Sequence, residues 1–121
     1  MKKILVADDE ADIRNLEKDL LESHGYKVLT ATNGKETLDL VANDRPDLVL
    51  LDIMMPGMHG HYICEKIKTD DALKDIKVII ITASAAPLDF NLAKYAHADL
   101  YIVKPFEVAA LLKCVKALLD D

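Results

Sequence analysis

Five short apolar runs punctuate the chain: KILVA (3–7), YKVLTA (26–31), LVLL (48–51), KVIIIT (77–82) and LYIV (100–103). None alternates strictly between polar and apolar. Runs of this length, rich in Val, Ile and Leu, suit strands covered on both faces, as in a parallel sheet. Between the runs the apolar positions take a helical period. Residues 10–24 set Ile13, Leu16, Leu20 and Leu21 on one stripe, 35–43 turn Leu38 and Val41 inward, and 60–68 offer Tyr62, Ile63 and Ile67. A weaker helix is expected over 88–96, with Pro87 in its first turn, where a missing N–H costs little. The last segment is the clearest: Val108, Leu111, Leu112, Val115, Leu118 and Leu119 follow helical spacing. Strands and helices in strict alternation predict an α/β fold with a parallel sheet and right-handed crossovers.

Composition narrows this picture. The chain has 121 residues, the size of one domain, expected to span 1–121, and is large enough for a core without disulfide or metal staples. Hydrophobic residues make up 51% and charged residues 30%, as in ordinary globular proteins. A formal net charge of -6 argues against direct nucleic-acid binding, which needs clustered Lys and Arg. Cys64 and Cys114 form no C-x-x-C pair and read as free thiols in a reducing compartment. The start, MKKILVADDE, meets acidic residues after four apolar ones, so no signal peptide fits, and no apolar stretch is long enough to span a bilayer. A cytoplasmic setting, without membrane partners, is the expectation.

In an open parallel sheet, sites form beyond the carboxyl ends of the strands. Asp8 and Asp9 follow the first run, Asp52 the third, Thr82 closes the fourth, and Lys104 with Pro105 follows the fifth. Each has an ordinary explanation alone. Asp9 would suit a helix N-terminus, Asp52 a solvated turn, and Lys104 an exposed strand end. Together they put three carboxylates, a hydroxyl and an ammonium on one edge. Crowded carboxylates repel unless protonated or bridged by a hard cation such as Mg²⁺. The same set suits phosphoryl transfer, with Asp52 as nucleophile and Lys104 offsetting charge on the transferring oxygens.

The stretches ILVADDE (4–10), PDLVLLDIMMPGMHG (46–60), VIIITA (78–83) and YIVKPF (101–106) resemble the receiver domains of two-component response regulators, in the manner of chemotaxis regulators. They span nearly the whole chain in the family's order. The resemblance implies a doubly wound, flavodoxin-like fold, with five parallel strands in the order 2-1-3-4-5 and five helices. It implies that Asp52 is the phosphoacceptor, served by a histidine kinase or histidine phosphotransfer protein. Asp9 and Asp52 would bind Mg²⁺ directly, with the backbone carbonyl of Met54, and Asp8 directly or through water. Lys104 would pair with the phosphoryl oxygens. Thr82 would hydrogen-bond the phosphoryl group, and Tyr101 would swing inward after it, changing the face of the fourth helix, fifth strand and fifth helix for a downstream target or fused effector domain. Met54 and Ser84 would flank the path of the attacking water and tune the lifetime of the phosphoryl group. The Lys104–Pro105 bond would be cis. Such a protein is a phosphoacceptor that assists its own phosphorylation and dephosphorylation, rather than an enzyme.

Two positions depart from the family pattern. His59 stands where Asp is usual, and with His61 reads as a solvated helix start rather than a transition-metal site. His97 stands where a Gly usually ends the fourth helix in the left-handed conformation, which His is among the residues able to adopt. A phosphatase with an aspartyl nucleophile is the main rival reading. It would place a second acid two residues after Asp52, where this chain has Met54, and would need a cap domain. An unphosphorylated adaptor is a third reading, against which the full Asp8, Asp9, Asp52, Thr82 and Lys104 set argues. No DNA-binding or effector domain follows the last helix, as expected of a stand-alone regulator or a piece of a longer one. That helix lacks the arginines common in receivers that pair through this face.

Overall fold

The computed structural model describes residues 1–53, Met55, Gly57, residues 59–83, Asn91, Lys94 and residues 96–119. The elements run β1 (Lys3–Ala7), α1 (Ala11–Ser23), β2 (Lys27–Ala31), α2 (Gly34–Asp44), β3 (Leu48–Asp52), α3 (Gly60–Thr69), β4 (Lys77–Thr82), β5 (Leu100–Val103) and α4 (Val108–Leu119). All strand pairs are parallel, in the order β2-β1-β3-β4-β5. This is the flavodoxin-like sheet order expected from the sequence. Of the helix expected over 88–96, only Asn91, Lys94 and Ala96 are described, so the helix lies largely outside the described residues. Met54 and Ser84 lie outside them as well.

The lack of alternation in the strands has a direct cause. Odd positions of β1 and β3 (Leu5, Ala7, Val49, Leu51) join Val78 and Ile80 of β4 in a layer covered by Val41 of α2 and Ile63, Cys64 and Ile67 of α3. Even positions (Ile4, Val6, Leu48, Leu50) join Ile79 and Ile81 in a second layer, covered by Leu21 of α1 and by Leu111, Val115 and Leu119 of α4. Both faces are dry, so both must be apolar.

Three apolar positions of the expected helical stripes face solvent: Leu16 is 60% exposed, Tyr62 50% and Val108 44%. In α1 the inward position is Glu17, only 3% exposed. In α3 it is His61 with Ile63, Cys64 and Ile67. Helical spacing alone had allowed either neighbour to face the sheet; packing chose the other one. His97 is left-handed, at φ 66°, one of the two outcomes open to a histidine in place of the usual glycine. Both cysteines are free, Cys64 buried and Cys114 half-buried. Burial pushes the Cys64 thiol up to about 12, which leaves it unreactive.

The turn after β3 matters most for the site. Gly60 opens α3 with its N–H donated to the Ile53 carbonyl at 3.1 Å. A Cβ there would lie 2.6 Å from the Ile53 Cα and 3.2 Å from the Asp52 carbonyl oxygen, so only glycine lets α3 begin so close to the strand end.

Candidate functional site

Parallel strands in register deliver their last residues to one edge of the sheet. Ala7 pairs with Leu51, Asp52 with Ile81, and Thr82 with Val103. The residue after β1 is Asp8, whose N–H continues the ladder to the Ala31 carbonyl at 3.1 Å. The residue after β5 is Lys104, whose N–H reaches the Thr82 carbonyl at 2.6 Å. Asp8, Asp52 and Lys104 therefore meet at the edge where β4 also ends in Thr82, because the strands end together, although they lie up to about a hundred residues apart.

Asp8, Asp52 and Thr82 are buried, at 2%, 6% and 1% exposure. Lys104 bridges the two carboxylates: its Nζ lies 3.4 Å from Asp52 Oδ2 and 3.5 Å from Asp8 Oδ2. The Lys104–Pro105 bond is cis. Asp8 is held further by the Glu10 N–H, which donates to its Oδ1 at 2.9 Å, while its carbonyl accepts from Arg14 Nη1 at 3.0 Å. Burial, the largest cause, raises the Asp8 carboxyl above its ordinary value, and the charge of Asp52 adds a smaller rise; the Glu10 N–H and Lys104 oppose this without reversing it. Burial pulls Lys104 down, but the charges of Asp52 and Asp8 outweigh it and the ammonium is held above its usual value.

A hard cation fits this donor set. Carboxylate oxygens of Asp8, Glu10 and Asp52 lie within 4.8 Å of one another. Glu10 was not singled out in the sequence, though its place directly after Asp8 and Asp9 was a usable signal. Asp9, expected as a direct ligand, is exposed and stands outside this trio. Glu17 was also not singled out; its carboxyl is buried and feels the charges of Asp8 and Asp52, and its place one residue from Leu16 in the helical pattern was the available clue.

Thr82 and Tyr101 lie on the same face of the sheet, because Tyr101 pairs with Ile80, two residues before Thr82. Tyr101 is half-buried, packed against the layer that α2 and α3 cover. His59 and His61 lie at the start of α3. The His59 ring caps the helix, its Nδ1 accepting from the His61 N–H at 3.3 Å, and the two Nδ1 atoms are 3.1 Å apart. His61 is buried, not solvated as the sequence suggested, because α3 turns it toward the sheet.

The profile of the response regulator receiver domain matches residues 4–116. The chain belongs to the response regulator receiver domain family. It is 35% identical to the polar-differentiation response regulator DivK of Brucella anthropi over 120 residues, covering 99% of this chain and 98% of that protein. It is 38% identical over 117 residues to the response regulator MprA of Mycolicibacterium vanbaalenii, covering 97% of this chain but 50% of that protein. The chain spans about half the length of most of the curated relatives it matches. Among solved structures, a CheY-like receiver domain protein from Methanospirillum hungatei superposes with a TM-score of 0.93 at 34% identity, covering 99% of this chain and 94% of that one. This receiver domain is thus a component of two-component signalling. Among the described residues no helix is long and apolar enough to cross a membrane.

Proposed function

We propose that this receiver, as a single domain over 1–121, takes up a phosphoryl group on Asp52. The donor is a phosphohistidine on a histidine kinase or histidine phosphotransfer protein. The observation that carries the reading is the Asp52 carboxylate at the tip of a buried strand, 3.4 Å from Lys104 and beside a second buried carboxylate, Asp8. A carboxylate oxygen of Asp52 attacks phosphorus, the bond to the donor nitrogen breaks, and the electron pair returns to the imidazole. Lys104 shifts its ion pair from the carboxylates to the phosphoryl oxygens and offsets their charge. Thr82, buried at the end of β4, offers its hydroxyl to the same group.

Asp8, Asp9 and Asp52, with Glu10 and the Met54 carbonyl that the family resemblance implies, would hold Mg²⁺. Bound there, the cation neutralises charge as phosphorus changes partners. Met54 and Ser84 would then set how easily water reaches the acyl phosphate. Tyr101 would follow Thr82 inward and alter the face of the helix expected over 88–96, β5 and α4 for a downstream protein or fused effector. The cytoplasm is the compartment consistent with such partners.

The test is incubation with acetyl phosphate and Mg²⁺, read by intact mass. One phosphoryl group is expected on the native chain, with none on Asp52→Asn or in EDTA. Persistent labelling of Asp52→Asn would sink the assignment.

A further inference from the structure

Glu17 is out of place in its helix. The buried stripe of α1 runs through Ile13, Glu17, Leu20 and Leu21, while Leu16 next to it faces solvent. An apolar side chain is what this stripe calls for. The face it covers is the layer of Ile4, Val6, Leu48 and Leu50. Continued by strand alternation, that same face belongs to Asp8, one residue beyond β1, and to Asp52, the last residue of β3. Glu17 thus lies on the side of the sheet to which both carboxylates belong.

Among the described residues its carboxyl makes no hydrogen bond or ion pair with either, and its Oε1 has no hydrogen-bond partner. Burial pushes it up to about 7, Asp8 and Asp52 add to the rise, and Lys104 opposes it. The coupling is mutual, since Glu17 helps Lys104 hold its proton. Of the other charges facing this layer, Arg14 lies one turn before Glu17 and donates from Nη1 to the Asp8 carbonyl at 3.0 Å, while Lys27 of β2 and Lys113 and Lys116 of α4 are exposed.

We propose that Glu17 is a proton-holding residue of the acidic site, neutral beneath Asp8 and Asp52 and releasing its proton to solvent when a divalent cation settles between them. This inference rests on the reading of those two residues as cation ligands. Its physics is a change of field. With the site empty of cation, a third negative charge would sit beside two others and one ammonium. Two added positive charges reverse the balance and favour the carboxylate. By reciprocity, ionised Glu17 strengthens cation binding by the same factor. A dianionic phosphoryl group on Asp52 acts in the opposite sense, returning the proton. The residue would therefore tie loading of the site to pH near neutrality, which a leucine at the same place could not do.

The test is Mg²⁺ titration of the unphosphorylated chain by calorimetry, at pH 6 and pH 8, in buffers of different ionisation heat. The heats count protons released per cation. Glu17→Gln keeps the shape; Glu17→Leu suits the apolar stripe and secures the fold. Between pH 6 and pH 8 the native affinity should rise about five- to tenfold more than that of either variant. Near pH 7 the native chain should release a proton fraction that both variants lack. Equal proton release in all three proteins would overturn this inference alone; a purely structural Glu17 would move melting temperatures but not proton counts. Failure of the native chain to bind Mg²⁺ at all would overturn the cation reading itself, and this inference with it.

Discussion

The two ends of this sheet treat their carboxylates in opposite ways. At the amino end, Asp47 and Asp99 precede β3 and β5 and each caps a neighbouring strand. Asp47 Oδ2 accepts from the Lys3 N–H at 2.8 Å. Asp99 Oδ2 accepts from the Val78 N–H at 2.8 Å and from Lys68 Nζ at 2.9 Å. Lys68 is itself tied down by the carbonyls of Lys74 and Ile76. At the carboxyl end, Lys104 lies 3.4–3.5 Å from both Asp8 and Asp52, and Glu17 is buried with an oxygen unpartnered among the described residues. One end has positive charge and N–H donors to match its carboxylates. The other has an excess of negative charge, and burial there raises Asp8 and Glu17 toward protonation. The amino end stabilises the fold; the carboxyl end carries an excess of negative charge, which on the proposed function a dication or a phosphoryl transfer would use.

This contrast can be broken by substitution at either end. The largest effect is expected at Glu17. Its folded value lies above the ordinary one of 4.5, so the native state holds the proton longer than the unfolded chain. Stability linked to Glu17 is therefore complete below about pH 4.5 and is lost as pH rises through about 7. Glu17→Leu should be more stable than the native chain at pH 8, and this advantage should shrink by about 3 kcal/mol on going to pH 4. Urea unfolding at the two pH values in EDTA measures it, and an advantage independent of pH would refute the assignment.

At the opposite end the sign reverses. Asp99→Ala removes the acceptor of a backbone N–H and leaves Lys68 without its carboxylate. A loss of about 2 kcal/mol is expected, roughly 6–8 °C in melting temperature, with acetyl phosphate labelling of Asp52 retained. Loss of labelling in a variant that stays folded would mean that the two ends are coupled after all.

The smallest effect sharpens the comparison. Asp8→Asn relieves repulsion against Asp52, so a gain of about 1 kcal/mol is expected at neutral pH without metal. Because Asp8 is raised in the fold, the gain should fade as pH drops. Saturating Mg²⁺ should reverse the ranking by stabilising the native chain more than the variant. Identical stability with and without Mg²⁺ would count against Asp8 as a ligand.

The strands were legible because their signal is local and redundant. KILVA, KVIIIT and LYIV coincide with β1, β4 and β5, and LVLL misses only Asp52, the charged last residue of β3. Asp8, Asp52, Thr82 and Lys104 could be placed together for the same reason, since each follows or closes a run that could only be a buried strand. Helix faces were less legible. Leu16 and Glu17 are adjacent, 100° apart on the helix, and hydrophobicity alone favoured Leu16 as the inward one. The sheet turned Glu17 inward because Ile13, Leu20 and Leu21 fix the rotation of α1 as a body.

The sequence by itself determined the strand and helix alternation, the two-sided core and the identity of the residues at the strand ends. These follow from periodicity and composition, which act over a few residues at a time. Only the tertiary structure decided that the Glu10 carboxylate comes close to those of Asp8 and Asp52, that Glu17 turns inward with one oxygen unpartnered among the described residues, and that His61 turns inward. Those outcomes depend on the rotation of whole helices against the sheet and on the route of the loop after β1. Burial and field at a carboxyl are set by atoms brought from β1, β3, α1 and the turn after β5, and no window of sequence contains all four.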